Sequence, residues 1–198
     1  MNEPAVFNIP ELSFPRDCLH NNGTIPHHAV HNLYGQLMQT ATRDGLLARS
    51  PTKRPFVLSR SFYAGSQTIG PIWTGDNAAD WSHLQASIPM ILSLGLAGMP
   101  FVGADVGGFF GNPDAELLTR WYQLGALQPF FRGHAHIETK RREPWLFGEP
   151  WTTAIKKAIR LRYRLLPYIY TAMFQSHRDG LPVNRPLFME FSGDGSEE

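Results

Sequence analysis

The chain has 198 residues, of which 42% are hydrophobic and 12% aromatic, which is enough apolar material for one core. Eighteen basic and 17 acidic side chains give a net charge of +1, so the charge predicts no nucleic acid or anionic membrane as a partner. The single cysteine, Cys18, excludes an internal disulfide and a cysteine-based zinc site. No segment predicts a membrane span, and the opening residues do not predict a signal peptide.

The pattern of apolar residues predicts alternating helices and short strands after a long loop over residues 1–29. Helices are predicted over 30–49, 82–95, 113–127 and 151–177, the last with a kink at Pro167. Strands are predicted over 55–59, 72–77, 100–108, 129–135 and 185–191. Residues 192–198 have the composition of a disordered tail.

This alternation of apolar strands and helices predicts an α/β fold with a parallel sheet. Four successive strands each end in a charged or titratable side chain, namely Arg60, Asp76, Asp105 and His134. In a (β/α)₈ barrel the active site lies at this end of the strands, but a barrel needs about 250 residues. We therefore predict the C-terminal half of a barrel over 1–180 and the first strand of a following β-sandwich domain over 181–191.

Asp76 follows Trp73-Thr74-Gly75 at the end of a predicted strand. A glycosidase needs two carboxyl groups beside the bond that it cleaves, and one of them serves as acid and base. An aspartate at this point could equally cap the next helix, because its side chain accepts hydrogen bonds from the first turn. The residues by themselves leave both interpretations open.

The other strand-end residues also have two interpretations each. Asp105 lies among glycines that allow close approach of a ligand, so it could bind sugar hydroxyls or stabilise a turn. Arg60 could bind hydroxyls, keep a carboxylate ionised or form a structural ion pair. His134 and His136 alternate, but a metal site would need further ligands, and we favour His134 as a donor to a sugar hydroxyl. The basic residues between 156 and 164 predict a solvated helix face.

Six segments in this order resemble glycoside hydrolase family 31 over nearly the whole chain, from Met1 to about Phe191. They are MNEP, RPFVLSRSFYAGSQ, WTGDN, GADVGGFF, RWYQLGALQPFFRGHAH and KRREPWLFGE. The resemblance implies a catalytic (β/α)₈ barrel and a retaining, exo-acting α-glucosidase. It also implies that neither a metal nor an organic cofactor is used.

The resemblance assigns roles to individual residues. Asp76 in the WxGDN motif matches the acid/base aspartate of the family. Arg60, Asp105 and His134 match residues that contact the sugar in the first subsite. Two residues, Trp73 and Phe109, match aromatic side chains that line the pocket.

The family nucleophile is the aspartate immediately before the methionine of the W-x-D-M-N-E motif. Met1 matches that methionine, so the resemblance places the nucleophile one position before residue 1. Glu3 matches a supporting residue and is not taken as a substitute. We therefore expect the chain to be a fragment that is inactive alone, since covalent catalysis needs the nucleophile.

The closest resemblance within the family is to its neutral α-glucosidase branch, whose members trim glucose from N-glycans. This implies a carbohydrate substrate, a noncatalytic β subunit as a partner and the lumen of the endoplasmic reticulum as the location. A noncatalytic sugar-binding protein and a fragment that does not fold on its own are the alternatives. Half a barrel would expose unpaired strand edges, which is the physical basis of the last alternative.

Overall fold

The computed structural model describes residues 2–8, 12–191 and 193, and the chain divides into two compact units, Met1–Ile72 and Trp73–Glu198. The regular elements of the first unit are β1 (Leu19–His20), β2 (Ile25–Pro26), α1 (His27–Val30) and α2 (Tyr34–Arg49), with 3₁₀ turns at His31–Leu33 and Ser66–Thr68. β1 and β2 pair antiparallel, so the predicted loop over 1–29 contains a small hairpin. The helix predicted over 30–49 is confirmed, although its first turns are separate short elements.

The strand predicted over 55–59 is wrong for most of its length. Only Ser59 forms a β-bridge, to Ile72, and its amide donates to the Pro71 carbonyl at 3.0 Å. The Gln39 side chain, which is buried, instead donates to the Val57 carbonyl at 3.3 Å. A side chain from α2 thus satisfies part of this backbone, and no ladder forms along it.

The second unit begins at the second residue of β3 and alternates short strands with helices. Its elements are β3 (Ile72–Trp73), α3 (Trp81–Leu96), β4 (Val102–Gly103), β5 (Asp105–Val106), α4 (Ala115–Gly125), β6 (Arg132–Gly133), α5 (Trp151–Asp179) and α6 (Leu187–Glu190). The Thr74 amide donates to the Gly103 carbonyl at 3.1 Å, beside the β3–β4 pair. β5 and β6 pair parallel, with Asp105 opposite Arg132 and Val106 opposite Gly133. The α/β class and the predicted helices are confirmed, while the strands are shorter than predicted.

The core of the second unit lies where α4 packs against α5 and β5. Apolar residues of α4 recur at helical spacing, and Leu118 and Trp121 are fully buried together with Ile155 of α5. Asp114 caps α4 by accepting the Leu117 amide at 2.7 Å. This buried face fixes α4 beneath the β5 loop that carries the candidate site.

Two predictions for the C-terminal third need correction. Arg162 belongs to the basic segment expected to be solvated, but its guanidinium donates to the carbonyls of Ala126, Gln128 and Pro129. This contact ties α5 to the segment after α4. The other basic residues of that segment are exposed as predicted, namely Lys156, Lys157, Arg160 and Arg164.

The strand predicted over 185–191 is also wrong, while the assignment of 181–191 to a following β-sandwich domain stays a prediction. Leu187–Glu190 form the short helix α6 after the extended Pro186. The apolar residues here are consecutive and do not alternate, and leucine, methionine and glutamate favour helix. The predicted disordered tail over 192–198 lies outside the described residues except for Gly193. Among the described helices, none is both long and apolar enough to cross a membrane.

Candidate active site

Asp76 is exposed and lies on the loop between β3 and α3. The N-cap of α3 is a different residue, Asp80, whose carboxylate accepts the His83 amide at 2.8 Å and the Ser82 hydroxyl at 2.7 Å. The interpretation of Asp76 as the cap of this helix is therefore wrong. Asp76 thus offers an exposed carboxylate, and its negative charge acts to raise the pKa of Asp105.

Asn77, the residue after Asp76, joins this loop to the loop after β5. Its side-chain amide donates to the Asp105 carbonyl at 3.1 Å, and its side-chain oxygen accepts the Phe109 amide at 2.9 Å. Its own carbonyl accepts the Phe109 and Phe110 amides at 2.8 and 2.9 Å. Asn77 is buried, so these bonds fix the backbone next to Asp76. No pattern in the sequence predicted that Asn77 joins the two loops.

Asp105 forms a buried ion pair with Arg132. It is 1% exposed, and its Oδ1 accepts a hydrogen bond from Arg132 Nη2 at 2.6 Å. The parallel register of β5 and β6 places the two residues opposite each other. The Arg132 guanidinium also lies 5.3 Å from the centre of the Trp73 ring, in a cation–π contact. Arg132 was not predicted, although it lies two positions before His134 in the same motif.

The ionisation of Asp105 reflects these neighbours. Burial raises the pKa of the Asp105 carboxyl, and the negative charge of Asp76 acts in the same direction. The hydrogen bond and positive charge of Arg132 and the charge of His134 oppose that effect, but the pKa stays raised. The second oxygen, Oδ2, has no hydrogen-bond partner among the described residues. One acceptor position of this buried carboxyl is therefore unused by the protein residues described.

Phe109 and His134 form an aromatic pair beside these charges. Their ring centres are 5.3 Å apart with an angle of 29° between the planes. The Phe109 carbonyl accepts the His136 amide at 2.9 Å, which holds the segment after β6 against the loop after β5. His134 is exposed and lines a cavity of about 300 Å³ with Tyr122 and Arg142. The pair therefore presents an aromatic surface and a ring N–H donor to solvent.

Arg60 lies in the first unit, where its Nε donates to Glu3 Oε1 at 2.6 Å. The side chain of Asn2 is buried and bridges the Gly35 and Ser61 carbonyls at 2.6 and 3.0 Å. The structural ion pair considered for Arg60 is thus present. A role in sugar binding stays a prediction for Arg60.

In the second unit the structure brings together most of the residues predicted from the sequence. Asp76 and His134 both influence the charge of Asp105, and Trp73 reaches the same cluster through Arg132. Within the described part of the chain, no group of three or more histidine, cysteine or acidic side chains is arranged to hold a metal ion. The cluster offers a carboxylate, a buried carboxyl acceptor, a cation and aromatic surfaces, which are the groups used to bind and cleave a sugar.

Comparisons with known proteins identify the family to which this fold belongs. Residues 1–172 match the family described as "Glycosyl hydrolases family 31 TIM-barrel domain". The chain belongs to this family. It is 62% identical over 193 residues to neutral alpha-glucosidase AB of Dictyostelium discoideum, covering 96% of this chain and 20% of that protein. The chain thus spans about a fifth of the length of the curated relatives that it matches.

Solved structures give the same result. The glucosidase II alpha subunit in a Glc1Man2-bound form matches with a TM-score of 0.92 and 59% identity, covering 96% of this chain and 21% of that one. A heterodimeric complex of the catalytic subunit of ER glucosidase II with the binding domain of its regulatory subunit matches with the same values. The resemblance found in the sequence and the expectation of a barrel-type α/β domain are confirmed.

Proposed function

We propose that the full-length protein is a retaining, exo-acting α-glucosidase in which Asp76 is the general acid and base. The observation that carries this proposal is the exposed carboxylate of Asp76 beside the buried Asp105–Arg132 pair. Retaining glycosidases need one carboxyl group that exchanges protons with the leaving oxygen and a second that attacks the anomeric carbon. The resemblance places the nucleophile immediately before the position of Met1, and we propose that it supplies the second group.

In the first step the nucleophile forms a bond to the anomeric carbon as the bond from that carbon to the glycosidic oxygen breaks, and Asp76 gives its proton to this oxygen so that the remaining glycan leaves as an alcohol. In the second step Asp76 removes a proton from water, which then displaces the nucleophile and releases glucose. The exposed position of Asp76 supports this role because water and the leaving group must both reach it.

The remaining residues bind the terminal glucose in this proposal. Asp105, whose Oδ2 is buried and has no hydrogen-bond partner among the described residues, is assigned to a sugar hydroxyl by the resemblance to the family, and Arg132 keeps its carboxyl in place. His134 donates to a further hydroxyl, while Phe109 packs against the apolar C–H face of the ring. Trp73 is proposed to line the pocket wall. It is only 7% exposed, and its ring also holds the Arg132 guanidinium through the cation–π contact. A role of Arg60 in sugar binding is proposed from the family resemblance alone, and Glu3 holds its side chain.

We also propose a glucosylated N-glycan as the natural substrate and the lumen of the endoplasmic reticulum as the location. The support is the likeness to a glucosidase II alpha subunit bound to Glc1Man2. The complex of that enzyme with its regulatory subunit supports a noncatalytic β subunit as the partner of the full-length protein. Release of free glucose from isolated monoglucosylated glycans would test this substrate.

The catalytic proposal is tested with full-length protein and a chromogenic α-glucoside. We expect Asp76→Asn to lower kcat by about 10²–10⁴-fold, because the amide cannot donate or accept the proton in flight. Asp80→Asn is a matched control four positions away that preserves the helix cap and should keep full activity. Proton NMR of the first product should show the α-anomer of glucose. Equal activity of the two variants, or a β-anomer, would contradict the proposal.

The isolated 198 residues are proposed to be inactive because they lack the position of the nucleophile. Turnover by this chain that Asp76→Asn abolishes would contradict that. A noncatalytic sugar-binding protein is the alternative, and it predicts binding of a glucose-like iminosugar without turnover by the full-length protein. A thermal melt of the isolated chain distinguishes a folded domain, which unfolds cooperatively, from a fragment that does not fold.

A further inference from the structure

The loop after β5 contains three glycines with positive φ, Gly107 at 96°, Gly108 at 81° and Gly111 at 78°. Gly108 is required sterically as well, because a Cβ there would lie 2.3 Å from the Ala79 amide nitrogen. Glycines make a segment costly to order, since they lose the most conformational freedom on folding. Phe109, which stacks on His134, lies in the middle of this segment. Its position in the candidate site therefore depends on external contacts.

One side of the loop is held by the segment that follows Asp76. The Phe109 and Phe110 amides donate to Asn77, and the Ala79 amide donates to the Phe110 carbonyl at 2.8 Å. These bonds fix the middle of the loop. They do not involve the carbonyls of Gly107, Gly108 and Gly111.

Arg142 supplies the contacts to those carbonyls. Its Nη1 donates to the Gly107 and Gly108 carbonyls at 3.0 and 2.7 Å, and its Nη2 donates to the Gly111 carbonyl at 2.5 Å. The Lys140 amide donates to the Asn112 side chain at 2.8 Å, so the segment that carries Arg142 is itself attached to the loop. Only a planar guanidinium presents donors in a fork that can reach several carbonyls at fixed angles.

We propose that Arg142 is a positioning residue for the candidate sugar site, which holds the backbone of residues 107–111 and thereby the ring of Phe109 against His134. This inference rests on the proposed α-glucosidase function. Arg142 contacts three carbonyls of the loop, and it also lines the cavity beside His134. Its loss should weaken the geometry of the pocket by releasing the backbone that carries Phe109, and a double-mutant cycle with Phe109 distinguishes this effect from a direct contact with the sugar.

The test uses full-length protein and a pair of neighbouring arginines. Arg142→Met keeps most of the side-chain volume but removes all donors. Arg141→Met is the matched control, because Arg141 is 76% exposed and pairs with Glu143 away from the loop carbonyls. We expect Arg142→Met to lower kcat/KM for a chromogenic α-glucoside by about 10–100-fold, as a displaced pocket residue does. Arg141→Met should match the wild type.

A double-mutant cycle separates positioning from a general loss of stability. If Arg142 acts through Phe109, then Arg142→Met should cost little once Phe109→Leu has already removed the aromatic ring. Multiplicative effects of the two substitutions on kcat/KM would overturn the proposal. Binding of an iminosugar should weaken in the same non-multiplicative pattern, which gives a second readout without turnover.

A conservative variant keeps the test decisive if Arg142→Met does not fold. Arg142→Lys retains the charge but cannot bridge the three carbonyls, so it should melt like the wild type and lose part of kcat/KM. Wild-type kcat/KM in Arg142→Lys, or in a folded Arg142→Met, would overturn the positioning role alone. Absence of turnover in the wild type would instead overturn the proposed function, and this inference with it.

Discussion

Each of the two units contains a buried titratable side chain, and the two side chains have partners of different kinds. In the first unit the buried His27 is 1% exposed, and its ring nitrogens bond His20 at 2.9 Å and His31 at 2.7 Å. In the second unit the buried Asp105 is paired with Arg132. The histidine partners lie seven and four positions away along the chain, whereas Arg132 lies 27 positions away. His27 is satisfied by neighbours along the chain, whereas the Asp105 carboxyl pairs with a cation from another strand.

This difference predicts where a substitution is most costly. An unpaired buried charge costs more than an unpaired neutral donor or acceptor, because the charged form loses far more solvation energy. The second unit should therefore be the more sensitive of the two to the loss of one polar partner. Hydrogen exchange of local peptides in the full-length protein measures whether the second unit is more sensitive than the first. Local exchange is used because a long multidomain protein need not unfold in one step.

The largest effect is expected for Arg132→Met, which leaves Asp105 buried without its cation. The local free energy of unfolding around β5 and β6 should fall by about 3 kcal/mol, the lower end of the usual range because Arg132 is 27% exposed. Peptides over residues 100–108 and 129–135 should exchange faster. The loss should shrink at acid pH, since protonation of Asp105 removes the unpaired charge.

The double variant Arg132→Met with Asp105→Asn is the control for this first prediction. It removes both charges, so most of the lost stability should return. A double variant as unstable as Arg132→Met would show that Arg132 acts through its cation–π contact with Trp73 and not through the ion pair.

A smaller effect is expected for His27→Phe in the first unit. The aromatic ring can still pack near Phe14 and Tyr34, but both hydrogen bonds are lost. We expect a loss of about 1–2 kcal/mol, measured by exchange over residues 12–34. A loss larger than that of Arg132→Met would reverse the comparison between the units.

The hydrogen-bonded histidines His20, His27 and His31 also predict a pH dependence of stability. Burial lowers the pKa of His27, and the positive charges of His31, His20 and His28 lower it further. The folded state therefore favours the neutral ring, and this contribution is complete above the ordinary pKa of histidine, about 6.5. It should be lost as the pH falls below that value, because the unfolded chain then binds the proton more readily. His27→Phe should remove most of this dependence, and His177→Gln on the exposed end of α5 should leave it unchanged.

The smallest effect is expected at an exposed carboxylate that belongs to neither buried group. Asp114→Ala removes the cap of α4 and should cost about 1 kcal/mol. Asp114→Asn should retain most of the stability because the amide oxygen still accepts the Leu117 amide. Exchange over residues 113–122 measures both. A cost close to that of Arg132→Met would show that burial does not set the order.

The helices were predictable because each rests on local patterns. The apolar spacing from Leu117 to Trp121 and the capping Asp114 are sufficient to place α4. The helix α6 was not predictable as such, since a run of consecutive apolar residues after Pro186 fits a strand or a short helix equally. Asp76 was placed correctly after a strand, whereas Asp105 is the first residue of β5 and lies inside a strand. The sequence left open whether Asp76 caps a helix, and the structure excludes that cap because Asp80 is the N-cap of α3.

The sequence by itself determined the family, the α/β alternation and the candidate residues, because motifs and periodicity are written in neighbouring positions. Only the tertiary structure decided which other residues hold the candidate residues in place. The pairing of β5 with β6 set Arg132 against Asp105, the loop after β3 set Asn77 against Phe109, and the segment after residue 139 set Arg142 against the glycine loop. These contacts join positions 27 to 35 residues apart. Their partners are chosen by strand register and loop packing, which no local pattern encodes.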